Sequence, residues 1–143
     1  MIDSLRSSED ARTVAVIGDE KAKAVAGHLD ESYDVTFLSD DAEVVEAAER
    51  AGVEARQVDP TDGHRLREHA AGIDLAVVGT ARDRTTLLAA QLLRTTCDVD
   101  RVVVQVNDPA NRDLFDGIDV QILEAWDLVA PSVEGALPDP GDV

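Results

Sequence analysis

Three runs, Val14-Ala-Val-Ile17, Leu75-Ala-Val-Val78 and Val102-Val-Val-Gln-Val106, are apolar almost without interruption. Each is too short for a helix and rich in β-branched residues, the signature of a strand covered on both faces. Such strands need helices above and below, and the chain supplies them. After Gly18, residues Ala22, Val25, Ala26 and Leu29 recur at helical spacing. Asp34 to Leu38 reads as a second strand. Ser39-Asp40-Asp41 then suits an N-cap, and Val44, Val45 and Ala48 mark a helix ending near Gly52. Val53 to Val58 is a weaker third strand. Asp59-Pro-Thr-Asp62 turns into a short helix from Gly63 to Ala71.

The fourth strand, Leu75 to Val78, leads to the loop Gly79 to Arg82. Asp83 is expected to cap a long helix carrying Leu87, Leu88, Leu92 and Leu93 and ending near Thr96. Val102 to Val106 is the fifth strand. Pro109 starts a short helix to Phe115, and Asp119 to Leu123 is the sixth strand. Ala125 to Val129 reads as a final helical stretch broken by Pro131. Six strands alternating with helices predict an α/β fold with a doubly wound, Rossmann-like parallel sheet, order 3-2-1-4-5-6. One domain spans residues 13–137, with a flexible N-terminus at 1–12 and a disordered tail at 138–143.

Composition narrows the function classes. Asp and Glu number 30 against 13 Lys and Arg, for a net charge of −17. That surface repels nucleic acid, and no basic run offsets it. The acid-rich, lysine-poor balance resembles that of salt-in halophiles. No apolar stretch has the length of a membrane span, so membrane insertion is not expected. No basic segment followed by an apolar one opens the chain, and Cys97 stands alone. The expected location is therefore cytoplasmic.

The order of strands places a ligand crevice at the carboxyl ends of strands one and four. Gly18, Asp19 and Glu20 follow the first of these, Gly79 and Thr80 the second. Ser39 and Asp40 follow strand two, about twenty residues after Gly18, where an acid would hold ribose hydroxyls. Asp59, Thr61 and Asp62 follow strand three. Lys21 and Lys23, the only lysines, fall in the first turn of the first helix, where they offset an anion or simply face water. Two readings stay open at Asp19 and Glu20: a phosphate site at the helix N-terminus, or a turn capped by its own acids. A G-x-G-x-x-G pattern begun at Gly18 places Glu20 and Lys23 at its other glycine positions. A carboxylate at Glu20 predicts weak or absent NAD binding. No Walker lysine, G-x-S-x-G or His-Glu-x-x-His occurs, and His64 and His69 are five apart. Catalysis is not expected.

Val103-Val-Gln-Val-Asn-Asp-Pro109 resembles a stretch of the TrkA N-terminal domain, also called the KTN or RCK domain, of potassium-uptake regulators. Val14 to Gly18, Val58-Asp-Pro-Thr-Asp62, Asp74 to Thr80, Leu87 to Ala90, and Phe115 to Leu123 resemble its other segments in order. The resemblance implies a cofactor, NAD or an adenine nucleotide. Gly18 would be its turn glycine, Asp59 and Thr61 would lie beside the adenine, and Thr80 would face the nucleotide. It also implies a homodimer that regulates a potassium channel or transporter subunit, through a site altered by Glu20, Lys23 and Ser39. The family's second ligand domain is not read before Val143. Two alternatives are an interaction module without ligand and a small nucleotide-dependent oxidoreductase.

Overall fold

The structure, a computed structural model, describes residues 12–137. The expected flexible N-terminus, apart from Arg12, and the expected tail lie outside the described residues. Six strands form one parallel sheet: β1 (Thr13–Gly18), β2 (Asp34–Ser39), β3 (Glu54–Gln57), β4 (Leu75–Gly79), β5 (Arg101–Gln105) and β6 (Gln121–Leu123). Their order is β3-β2-β1-β4-β5-β6, as the alternation predicts. β1 pairs with β2 on one side and β4 on the other, with Gly18 opposite Gly79. The chain reverses its winding direction between these two strands.

Alternate residues of the central strands feed two cores. Val14, Val16, Phe37, Leu75 and Val77 meet the helices α1 (Glu20–Leu29), α2 (Ala42–Arg50) and α5 (Val129–Ala136) on one face. Ala15, Ile17, Leu38, Ala76, Val78 and Val104 meet α3 (Gly63–Ala70), α4 (Asp83–Thr95) and Phe115 on the other. This double coverage is why the β1, β4 and β5 runs carry no polar alternation. β3 is a short edge strand on which only Ala55 is buried, matching its weaker pattern.

Three expectations need correction. Asp83 does not cap α4; it is that helix's first residue, and Arg82 holds the N-cap position. Leu88 is 49% exposed, and the buried face of α4 is built from Thr86, Ala89, Ala90 and Leu93. Leucine content marked this helix's existence but not its inner face. Pro131 does not break the last helix. A 3-10 turn, Trp126–Leu128, runs into α5, and Pro131 lies in its first turn, where a missing N–H leaves no intrahelical bond unmade. Pro109 starts a 3-10 helix, Pro109–Phe115, with Asp108 as its cap.

The charge finds little internal compensation. The Lys/Arg ion pairs among the described residues are Lys23–Glu20, Arg65–Glu68, Arg94–Asp119 and Arg112–Glu124, at 3.2 to 3.5 Å. All have at least one exposed partner, a setting in which a pair contributes about 1 kcal/mol at most. Most of the 30 acids therefore repel one another across the surface. The Debye length falls from about 10 Å at 0.1 M salt to about 3 Å at 1 M. The thermal midpoint, followed by circular dichroism, is expected to climb several degrees over that range of KCl. A flat midpoint would show that repulsion does not limit this fold.

Candidate nucleotide site

The site begins with the two strands that end side by side. β1 ends in Gly18 and β4 in Gly79, and both are buried. A Cβ built on Gly18 would collide with the carbonyl oxygen of Gly79 and stand 2.7 Å from the Cβ of Ala22. Gly18 thus lets α1 pack tightly on the strand end and brings its N-terminus over the crevice. Asp19 holds the N-cap position of α1 but makes no side-chain capping bond; the helix starts with Lys23 N–H donating to Asp19 O at 2.8 Å. Of the two acids read as capping this turn, Asp19 makes no capping bond and Glu20 stands in the helix's first turn. Glu20 is 70% exposed and lies 3.5 Å from the ammonium of Lys23.

Above the switch between β1 and β4 lies a cleft of about 320 Å³. Gly18, Asp19, Ser39, Asp40 and Thr80 line it, as the topology predicts, joined by Ile17, Pro60, Ala81, Arg82 and Thr85. A second recess of about 450 Å³ continues from it, sharing Asp19, Thr80 and Ala81 and adding Glu20, Lys21, Asn107 and Trp126. Glu20 does not line the first cleft. It borders the adjoining recess instead, with its carboxylate beside Lys23.

Two helices present their N-termini to the first cleft, α1 at Asp19 and α4 at Arg82. Neither has a side-chain cap. By contrast α2 and α3 are capped by aspartates. Asp41 accepts from Glu43 N–H, and Asp62 accepts from the N–H groups of His64 and Arg65. α1 and α4 each still have an acid in the first turn, Glu20 in α1 and Asp83 in α4, which offsets part of the helix's positive end and leaves the rest for a bound anion. The Arg82 guanidinium has no ion pair among the described residues.

The cleft's floor on the β4 side is a hydrogen-bonded loop. Thr80 N–H donates to Thr86 Oγ1 at 3.0 Å, and the Thr80 hydroxyl donates to Arg82 O at 2.8 Å. The hydroxyl of Thr80 thus shapes the loop that presents Arg82. Asn107 Nδ2 donates to Thr80 O at 2.8 Å, joining this loop to the one after β5. Asp83, 7% exposed, anchors the junction. Its carboxylate accepts from the N–H of Asn107 at 2.8 Å, the N–H of Asp108 at 3.1 Å, Asn107 Nδ2 at 3.1 Å and Asn111 Nδ2 at 2.7 Å. Burial pushes this carboxyl up, but the four donors outweigh it and hold it below its ordinary range.

On this geometry the family can be read. The TrkA-N domain family matches residues 10–124. The chain belongs to that family. Its TrkA-N fold is similar to the NAD(P)-binding domain of an exopolyphosphatase-related protein from Archaeoglobus fulgidus. The TM-score is 0.68 at 23% identity, over 87% of this chain and 96% of that one. It is also similar to a putative zinc-binding dehydrogenase from Sinorhizobium meliloti bound to NADP. There the TM-score is 0.52 at 21% identity, over 90% of this chain but only 45% of that one. No curated protein matches significantly.

Not every expected residue of the TrkA-N site reaches the cleft. Asp59 and Thr61 do not line it. Thr61 donates its N–H and hydroxyl to Asp59 Oδ1 at 2.8 and 2.7 Å, and this exposed turn holds buried Pro60 toward the cleft instead. Those two donors, the backbone one first, keep the Asp59 carboxyl below its usual value. Gly79 lies under Trp126, whose Cη2 would be 2.6 Å from a Cβ placed there. Lys21 and Glu20 line the second recess and not the first cleft. Ser39 is buried and its hydroxyl accepts from Asp41 N–H at 3.2 Å, leaving Asp40 as the exposed acid of the pair at the cleft. Arg82 and Thr85 follow from the topology, since α4 must begin at the crevice. Trp126 carries no periodic signal that would place it. Among the described residues no group of three His, Cys, Asp or Glu is arranged to hold a metal. No helix among them is long and apolar enough to cross a membrane.

Proposed function

We propose that this TrkA-N domain binds an adenine nucleotide or NAD in the β1–β4 crevice and acts as a non-catalytic, ligand-responsive regulatory unit. The single observation that carries the reading is the open cleft flanked by two helix N-termini without side-chain caps, with Arg82 free of ion pairs among the described residues and Glu20 exposed beside Lys23. In this arrangement Asp40 holds the ribose, and Pro60 and Ile17 flank the base. The α1 and α4 N-termini and Arg82 meet the phosphates. Glu20 and Lys23 alter the site without closing it. The output proposed from the family resemblance is control of a potassium channel or transporter, exerted by a homodimer whose geometry the ligand biases.

The test is calorimetric titration with ADP, ATP, NAD and NADH at high KCl. At least one is expected to bind, and Arg82→Ala is expected to weaken it about tenfold, the value of one charge-assisted contact. Absence of binding by all four would favour a module that has lost its ligand. The potassium arm is a host strain lacking the chain, in which uptake at limiting potassium is expected to change.

A further inference from the structure

We infer that the outer face of α4, with the adjoining flank of α3, is the docking surface for an acidic amphipathic helix of a second protein. The inference goes beyond the nucleotide reading and does not depend on it. In a chain with 30 acids, residues 84–97 form the longest acid-free run. Burial does not account for it. Arg84, Leu88 and Thr95 are exposed and Leu92 partly so, and their spacing sets them on one outward stripe of α4. Every other α-helix exposes at least one glutamate: Glu20 on α1, Glu43, Glu46 and Glu49 on α2, Glu68 on α3 and Glu134 on α5. The single acid of α4, Asp83, is buried and occupied by its four donors.

The stripe is apolar and basic instead. Leu88 is 49% exposed, and Arg84 precedes it by one helical turn. α3 packs beside the stripe at Gly63, where an added Cβ would stand 3.1 Å from Leu92 Cδ2. Exposed Arg67 follows Gly63 at i+4, on the same flank. Neither Arg84 nor Arg67 has an ion pair among the described residues, and Glu68 is engaged by Arg65 at 3.2 Å. An exposed leucine beside two free guanidiniums, on a helix that shows no carboxylate, is complementary to apolar side chains flanked by carboxylates. A helix laid along another helix presents such a pattern at i, i+3, i+4 and i+7. A second copy does not supply it face to face, since a two-fold contact through α4 would oppose one basic stripe to another.

The test is fluorescence anisotropy with two labelled helical peptides, identical in their leucine stripe and flanked in one by glutamates and in the other by lysines. Both are titrated with the full chain at 1 M KCl. The chain's net charge of −17 favours the lysine peptide, so a preference for the glutamate peptide reports a local basic face. The glutamate peptide is expected to bind about tenfold more tightly. Leu88→Gln and Arg84→Glu change exposed residues, so each thermal midpoint is expected to stay within about 2 °C of the parent. Each is expected to weaken the glutamate peptide about fivefold or more. A lysine peptide bound as tightly or more tightly, failure of both peptides to bind, or affinities unchanged in both variants would overturn the inference. So would a native chain that sediments as a dimer while Leu88→Gln sediments as a monomer, which would give this face to a second copy. If a variant does not fold, the preference of the native chain between the two peptides decides.

Discussion

Gly18→Val is expected to yield a chain that does not fold, and Gly18→Ala one that has lost about 3 kcal/mol. The reason is position, not backbone torsion. The added Cβ would meet the Gly79 carbonyl oxygen and would stand 2.7 Å from Ala22 Cβ. Neither neighbour is a flexible side-chain tip. Gly79 is fixed as the register partner of Gly18 in the central pair of the sheet, and Ala22 is fully buried on the inner face of α1. Relief requires moving α1 off the strand end or opening the β1–β4 pair, and both disturb the core. Valine adds two further methyls to the same space, and native stability is only about 5–15 kcal/mol. Urea denaturation followed by circular dichroism checks this. A Gly18→Ala variant within about 0.5 kcal/mol of the parent would show that the strand ends are looser than the packing implies. A folded Gly18→Ala variant is also expected to bind nucleotide poorly, because its first α1 turn is displaced from the cleft.

The same residue shows what was legible in the sequence. A glycine closing an apolar run and opening a helical pattern has few structural uses, so the β1–Gly18–α1 unit was readable. So was the strand order, because continuous apolar runs demand helices on both faces. The crevice followed from that order, and Gly18, Asp19, Ser39, Asp40 and Thr80 fall where the topology put them. What was not legible depends on where a side chain turns. Asp59 and Thr61 sit at the right end of the right strand, but their short side chains bond each other and present Pro60. Glu20 stands in a glycine position, yet the helical i,i+3 spacing gives its charge to Lys23. Thr80 was placed correctly, but its hydroxyl is consumed by Arg82 and Thr86. Trp126 enters from beyond the sixth strand, too far along the chain for spacing to tie it to Gly79.

Asp83→Ala is expected to cost about 3 kcal/mol and to weaken nucleotide binding without touching the ligand. Read locally, Asp83 is a helix cap. In the fold its carboxylate faces the other way and gathers N–H groups from Asn107, Asp108 and Asn111. Removing it leaves two backbone donors and two amide donors without their acceptor. Hydrogen bonds to a charged group are worth about 1.5–3 kcal/mol each, though not additively. Asp83→Asn should fare little better, since its amide nitrogen would point a donor at donors. The loss spreads to the cleft through Asn107, which holds the Thr80 carbonyl and with it the loop that presents Arg82. The pH dependence tests the cause. The folded carboxyl lies below its ordinary range, so its contribution is fully present above the unfolded value, about 3.9. That contribution is lost as pH falls through the folded value. The stability gap between the native protein and Asp83→Ala should therefore be constant near neutrality and narrow below about pH 4. A gap that persists unchanged at lower pH would mean that Asp83 acts by packing and not by charge.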